Sequence, residues 1–232
     1  MTHSWLGGIV VFVVGILTAG CGSTETSNQR LASTALASGE AVAIFLTRSD
    51  FDPTLDKGDV SRLEGNVTSC VGKALRRAPA AVRIMPADEL RNVAFPAATD
   101  IIPPWPWPEL LDESLARERL LTAHGVRYVI AVTVTASQQW ERSGDGVGVA
   151  KWSTSSMEAE IFDLRHRRPA GSVTARAYGS SGGGLVFLLW VPIPYFHLSF
   201  PESRACNVLG EEIAKFLAGE ESSPAGRARR AP

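Results

Sequence analysis

The feature that most constrains the fold is the run YVIAVTVT at residues 128–135. Tyrosine, valine, isoleucine and threonine favour the extended backbone of a strand. No other segment of the chain gives so strong a strand signal. The sequence therefore predicts a domain built around a sheet that contains this segment.

Shorter patterns on either side alternate between strand and helix. Apolar residues at helical spacing predict a helix over 60–78, which should end there because Pro79 disfavours helical geometry in the residue before it. The other predicted strands cover 41–46, 81–85, 151–164 and 172–178, and the other predicted helices cover 87–93, 110–124 and a segment that Ser199 would cap. This order predicts an α/β fold with a single mixed sheet covered by helices, which we place on one face.

Composition sets the broad class of the protein. Of 232 residues, 45% are hydrophobic and 20% are charged, as in an ordinary globular domain. We expect one domain over residues 41–218, followed by a small, polar, disordered tail over 219–232. The net charge of −1 gives no reason to expect nucleic acid as a partner.

The amino terminus resembles the signal of a bacterial lipoprotein. Residues 5–19 are an uncharged apolar run of secretory length, and they are followed by Gly20 and Cys21. Two features depart from the usual pattern, because Thr18 replaces the commoner leucine and MTHS lacks Lys and Arg. The resemblance implies a signal peptide at 1–20, cleavage before Cys21 and acyl chains such as palmitate on that cysteine. A plain signal peptide or a short anchor helix is the alternative.

The segment after Cys21 is small and polar, with no sustained apolar period. We therefore predict a tether over residues 21–40, with a short helix possible near Leu31–Leu36. A flexible tether of this length would span roughly 23 Å. Gly22, rather than Asp, fits outer-membrane sorting where the cell has an outer membrane.

Several core segments resemble one family of envelope domains. They include residues 42–46, the helix with Cys70, Ile84-Met85-Pro86 and the run from His124 to Ile130. This order is similar to the α/β domain shared by the amino-terminal part of the Tol translocation protein, the curli-secretion lipoprotein and the lipoprotein activator of penicillin-binding proteins. The resemblance implies work by protein contact in the cell envelope and transfers no catalytic residue.

Candidate chemical motifs are weak. Gly179-Ser180-Ser181-Gly182-Gly183 has the spelling of a hydrolase nucleophile elbow, but the elbow needs a following helix and a downstream acid before the histidine. A Gly-rich turn is the better interpretation. The histidines lack metal-site spacing, so we expect neither a metal nor a cofactor.

The remaining cysteines form an even pair once Cys21 is acylated. Cys70 and Cys206 each lie on the apolar face of a predicted helix, and export would permit oxidation. We predict a disulfide between them, while two buried thiols remain the alternative.

The run from Leu185 to Phe196 is the most unusual stretch. It is too short and too interrupted by proline to span a membrane as a helix. We expect it to be mostly buried, and the alternative is a surface for a partner or the bilayer. The aromatic residues that would build that surface are Trp105, Trp107, Trp190, Tyr195 and Phe196.

Three functions are compatible with these features. The first is a membrane-anchored periplasmic scaffold or protein-binding module that is not an enzyme. The second is a component of a secretion or envelope-assembly machine, and the third is a hydrolase that uses Ser181. We expect the lipid anchor and an envelope protein as partners.

Overall fold

The computed structural model describes residues 22–32, 35–37, 39–49, 57–77, 82–94, 114–142, 148–188, 191–197 and 200–220. Its strands are β1 (Gly22–Arg30), β2 (Ala41–Ser49), β3 (Arg83–Met85), β4 (Val126–Arg142), β5 (Gly148–Asp163), β6 (Arg168–Leu188) and β7 (Val191–His197). Its helices are α1 (Lys57–Arg77), α2 (Ala87–Ala94), α3 (Ser114–Glu118), which continues as a π-helical turn over Arg119–Ala123, and α4 (Pro201–Leu217).

The strands form one mixed, open sheet. Its order is β1-β6-β5-β4-β2-β3, and β7 pairs with β6 as the seventh strand. β2 runs parallel to β3 and β4, whereas the remaining pairs are antiparallel. The predicted fold class, an α/β fold with a single helix-covered mixed sheet, is confirmed.

Helices lie on both faces of this sheet, so the expectation of one covered face was wrong. Val42, Ile44 and Leu46 pack in a core with α1 and α4, whereas Ala43 and Phe45 pack in a second core with α2 and α3. Successive side chains of a strand point to opposite faces. A strand that is apolar at every position, as β2 is over 41–46, therefore needs cover on both sides.

β4 and β6 are longer than predicted, because polar residues continue β4 and a glycine- and serine-rich run continues β6. β4 extends to Arg142 and β6 to Leu188, well past the apolar segments that signalled them. The predicted turn at Gly179–Gly183 lies inside β6, where Gly179 pairs with Gly22 of β1 and Ser153 of β5. Pairing on both edges supplies the backbone hydrogen bonds that keep a glycine run extended.

The predicted tether is also corrected. Gly22–Arg30 forms β1, an edge strand paired with β6 over nine consecutive residues. Because its residues are polar, this strand shows no apolar pattern in the sequence. The contacts that stabilise it come from β6, about 150 residues away along the chain.

The amino-terminal cap of the last helix lies one residue later than the predicted cap, Ser199. Phe200 is the residue at the amino-terminal cap of α4, and it makes no side-chain capping hydrogen bond. Within the described part of the chain, no helix is long and apolar enough to cross a membrane.

Candidate interaction surfaces

The first candidate surface lies where the chain enters the sheet. Cys21 is outside the described residues, but its neighbour Gly22 is the first residue of β1 and pairs with Gly179. Neighbouring Cα atoms are about 3.8 Å apart. The predicted lipid site is therefore one residue away from the start of β1.

β1 and β7 pair with the same edge of β6, one after the other. β1 pairs with residues 171–179 and β7 with residues 182–188. β5 pairs with the opposite edge of β6. Only Ser180 and Ser181 separate the two stretches, so Gly22 and His197 end close together along this edge.

Two exposed tryptophans lie level with Ser180 and Ser181. Trp140 pairs with Lys151, which pairs with Ser181, and Trp152 pairs with Ser180. Trp140 is 70% exposed and Trp152 is 51% exposed. Strand alternation places them on opposite faces of the sheet.

Each tryptophan also has a polar partner. The Lys151 Nζ lies 5.3 Å from the centroid of the Trp140 ring. The Trp152 indole Nε1 donates a hydrogen bond to the Glu141 carboxylate at 3.0 Å. Both rings therefore keep defined contacts while remaining open to solvent.

The second candidate surface is the outer edge of β1. No strand of the described residues pairs with this edge. The register with β6 is regular from Gly22 to Arg30, without a bulge or a proline. Protein edge strands are usually blunted by such devices, so a long regular edge is suited to pairing with another chain.

Side chains hold β1 against the domain. Arg30 Nη2 donates hydrogen bonds to the carbonyl oxygens of Phe216 at 2.8 Å and Glu220 at 3.1 Å. On the other face, the Tyr178 hydroxyl donates to the Glu25 carboxylate at 3.1 Å. The strand is therefore fixed to both β6 and α4.

A polar cluster joins the start of β2 to the turn after β5. Arg127 Nη1 donates to the Glu40 carboxylate at 2.9 Å and to the Ala35 carbonyl at 3.0 Å, and Arg165 contacts Glu40 at 3.0 Å. Asp163 accepts hydrogen bonds from the backbone N–H groups of Arg165 at 2.9 Å and His166 at 3.2 Å.

The pKa of Arg127 is raised. Burial lowers this pKa, but the hydrogen bond to Glu40 and nearby negative charges outweigh the effect of burial. The guanidinium therefore works as a permanently charged connector.

Tyr128 lies beside this cluster and is fully buried. Its hydroxyl has no hydrogen-bond partner among the described residues. Burial raises the pKa of Tyr128, and the neighbouring Arg127 charge only partly opposes that effect. The neutral phenol is thus the form that the folded protein holds.

Glu64 of α1 is a buried acid with a structural role. β3 pairs with β2 only over Ala41–Ala43, so the backbone of Leu46 lies beyond the reach of that strand. Glu64 accepts a hydrogen bond from the Leu46 N–H at 3.3 Å and forms an ion pair with Arg91. Its carboxylate connects α1, β2 and α2.

A disulfide between Cys70 and Cys206 joins α1 to α4, with Cα atoms 6.1 Å apart. The two helices also approach closely at Gly210, where a Cβ atom would lie 2.8 Å from the Ala74 Cβ. Small residues and the covalent bond therefore act at the same helix crossing.

The other residues singled out in the sequence have different fates. Trp105, Trp107 and Trp190 lie outside the described residues. Tyr195 and Phe196 are in β7, opposite Gly184 and Gly183, and only their backbone is described. Ser181 lies within the strand β6 rather than at a strand-to-helix elbow. No group of three potential metal-ligating side chains was found among the described residues.

Sequence reasoning missed Trp140, Trp152, Glu64 and the edge of β1. The two tryptophans lie in polar surroundings with no motif, and only their exposure in the folded sheet distinguishes them. Glu64 carries no local signal of its role, because its contacts with Leu46 and Arg91 are made across the fold.

Comparisons with known proteins place the chain in no family. No protein-family model and no curated protein matches it. A PelC dodecamer structure from Paraburkholderia phytofirmans is 17% identical with a TM-score of 0.43, over 84% of this chain and 99% of that one. Lipoprotein GNA1162 from Neisseria meningitidis is 15% identical with a TM-score of 0.37, over 60% of this chain and 83% of that one. Likeness at this level assigns no function. The sheet and its helices establish an α/β fold, and membership of the Tol, curli or penicillin-binding-protein-activator group is not established.

Proposed function

We propose that the chain is a lipid-anchored lipoprotein of the bacterial envelope that binds another protein through β1. The anchor is Cys21, and the domain faces the periplasm, from the outer membrane where the cell has one. The role is one of contact rather than catalysis. A component of an envelope-assembly or secretion machine is the more specific form of the same proposal.

The observation that carries the proposal is the regular outer edge of β1. Backbone N–H and C=O groups at an edge can pair with a strand of a partner, and this mode gives affinity with few sequence requirements. β1 is held in place by Arg30 and Tyr178, so its edge is ordered before a partner arrives. Preorganisation lowers the entropic cost of binding.

Photocrosslinking in intact cells tests this proposal. A photoreactive residue replaces Ser23, an exposed position on β1, and the matched control replaces Glu211, an exposed position on α4. We expect a discrete crosslinked envelope protein from position 23 alone. The same product from both positions, or none from either, would contradict the proposal. A crosslinked second copy of this chain would identify the partner as self.

Two proline variants sharpen the test. Neighbouring residues of an antiparallel strand direct their N–H groups to opposite sides. One of Thr26→Pro and Ser27→Pro must therefore remove a hydrogen bond to β6, and the other removes only an outward donor. We expect the variant that keeps the wild-type melting temperature to lose the crosslink from position 23.

The hydrolase alternative using Ser181 has a direct test as well. Ser181 lies in an extended strand paired with β5, and this arrangement lacks the elbow that exposes a nucleophile. A broad esterase screen of the wild type and Ser181→Ala should show no difference. Activity that disappears in the variant would revive the enzyme hypothesis.

A further inference from the structure

We infer that the end of the sheet beyond Cys21 is seated on the lipid bilayer, with the β6–β7 hairpin at the level of the headgroups and upper acyl chains. This hairpin consists of Gly182–Leu188 and Val191–His197. The inference rests on the proposed lipid anchor. It adds a second, non-covalent membrane contact to the anchor.

The direction of β1 relates the anchor to the hairpin. β1 is antiparallel to β6 and begins at Gly22, opposite Gly179, so the chain enters β1 from the side towards which β6 continues. The domain core lies on one side of Gly22, beside residues 171–179. The hairpin lies on the other side, beyond residue 181. A membrane surface at Cys21 therefore has the helices on its aqueous side. The hairpin lies on its other side, where the last residues of β4 and the first residues of β5 flank its base at headgroup level.

The hairpin is apolar in sequence, and its strand β7 extends the sheet only at β6. Among the described elements, β7 packs substantially against β6 alone. The cross-strand positions of its outer part are Leu185–Pro194, Val186–Ile193, Phe187–Pro192 and Leu188–Val191. Successive pairs occupy opposite faces, so both faces are apolar in sequence. Where an apolar segment of this kind is exposed, it marks a partner or membrane contact.

The prolines of β7 favour lipid over an additional strand. Pro192 and Pro194 are two residues apart, so their nitrogens point to the same side of β7. A proline nitrogen donates no hydrogen bond and is tolerated where it faces away from the neighbouring strand. The outer edge of β7 therefore lacks two donors. This edge is a poor template for another strand, and it exposes fewer unsatisfied N–H groups to lipid.

The two exposed tryptophans lie at the level expected for a membrane interface. Trp140 and Trp152 are level with Ser181 and Ser180, between the ends of β1 and β7, on opposite faces of the sheet. Tryptophan is enriched where one part of a ring meets lipid and its N–H meets water. Both rings thus lie at the level of Ser180 and Ser181, next to Gly22, where the chain enters β1.

The length of the hairpin limits its depth. β5 begins at Gly148, opposite Gly184, so among the described residues only Leu185–Leu188 and their partners extend past it, by about 13 Å. The hydrocarbon core is roughly 30 Å thick. A two-stranded hairpin also has open edges, which the hydrocarbon centre disfavours. Seating at the interface satisfies both limits.

Fluorescence quenching in vesicles tests the inference. The mature acylated protein is reconstituted into phosphatidylcholine vesicles. Each sample carries an environment-sensitive probe on one introduced cysteine. The variants are Val186→Cys in the hairpin, Gln139→Cys at the level of the tryptophans, and Glu158→Cys. Glu158 is an exposed residue paired with Thr174, towards the core from the anchor, and serves as the matched control. We expect nitroxides high on the acyl chains to quench the probe at position 186, and headgroup nitroxides to quench the probe at position 139. Neither kind of nitroxide should quench the probe at position 158. Each variant is first required to retain the wild-type melting temperature.

Three outcomes are distinguishable. A 186 probe that responds like the 158 probe overturns the inference. A 186 probe shielded from aqueous iodide but insensitive to lipid nitroxides also overturns it, because protein then covers the hairpin. The mass of the amino-terminal peptide reports acylation separately, so a missing anchor contradicts the proposed function without being mistaken for a failed hairpin contact.

Discussion

The guanidinium of Arg30 lies 4.7 Å from the centroid of the Phe216 ring and donates a hydrogen bond to the Phe216 carbonyl oxygen at 2.8 Å. The contact joins the end of β1 to the last turns of α4. Because β1 follows Cys21 directly, this contact also ties the predicted anchor to the core. The contact therefore couples β1 to α4.

Arg30→Ala should detach the end of β1. We expect the free energy of unfolding to fall by about 1–2 kcal/mol, since two hydrogen bonds to carbonyl oxygens and a cation–π contact are lost. Urea denaturation measures the change, and Arg204→Ala on the exposed side of α4 is the control. Equal stability of the two variants would show that Arg30 is dispensable.

Tyr128→Phe should remove the part of the stability loss at alkaline pH that comes from ionisation of this tyrosine. The folded protein raises the pKa of Tyr128 above its ordinary value of 10.0, so the native state keeps a proton that the unfolded chain loses above that pH. The stabilisation is complete below pH 10 and is lost as the pH rises through the folded pKa. Near pH 7 we expect Phe to be neutral, or more stable by up to about 1 kcal/mol, because the hydroxyl has no hydrogen-bond partner among the described residues. Urea denaturation at pH 7 and pH 10.5 makes the measurement, and an unchanged alkaline loss in the variant would assign it to other groups.

Glu64→Ala should cost about 2–3 kcal/mol of stability, because it leaves the Leu46 N–H and the Arg91 guanidinium without this carboxylate. Glu211→Ala, at an exposed position, should change stability by less than about 0.5 kcal/mol. Thermal and urea denaturation of both variants test the difference. A cost for Glu64→Ala as small as that of the control would remove the structural role of this acid.

Alanine substitutions at two helical glycines should change stability in opposite directions. A Cβ at Gly210 would lie 2.8 Å from the Ala74 Cβ and 3.2 Å from the Val71 Cα, so Gly210→Ala should destabilise by about 1–3 kcal/mol. A Cβ at Gly65 would meet nothing within 4 Å, so Gly65→Ala should stabilise by roughly 0.5–1 kcal/mol. A Gly210→Ala variant at least as stable as the wild type would show that the helices do not cross as described.

The disulfide can be tested by counting reactive thiols and by measuring the stability of a variant without it. The mature protein, denatured without reductant, should show no reactive thiol at Cys70 or Cys206. Replacing both by alanine should lower stability by about 2–4 kcal/mol, since the bond closes a loop with a sequence separation of 136 residues. Two reactive thiols in the unreduced protein would exclude the bond.

The sequence by itself determined the fold class and the position of its central segments. The continuously apolar runs at 41–46 and 128–132 predicted buried strands, and helical spacing predicted α1 and α2 to within a few residues. These signals are local, because burial on a face repeats with the period of the element itself. The lipoprotein resemblance around Cys21 is likewise local, and it stays a prediction.

Only the tertiary structure decided the course of β1, the lengths of β4 to β6 and the place of the β6–β7 hairpin. Gly22–Arg30 is polar and becomes a strand because β6 supplies its hydrogen bonds and Arg30 reaches Phe216. Trp140 and Trp152 share a level because strand register aligns residues that are far apart along the chain. Such relationships depend on pairing between distant segments, and no local pattern of residues encodes them.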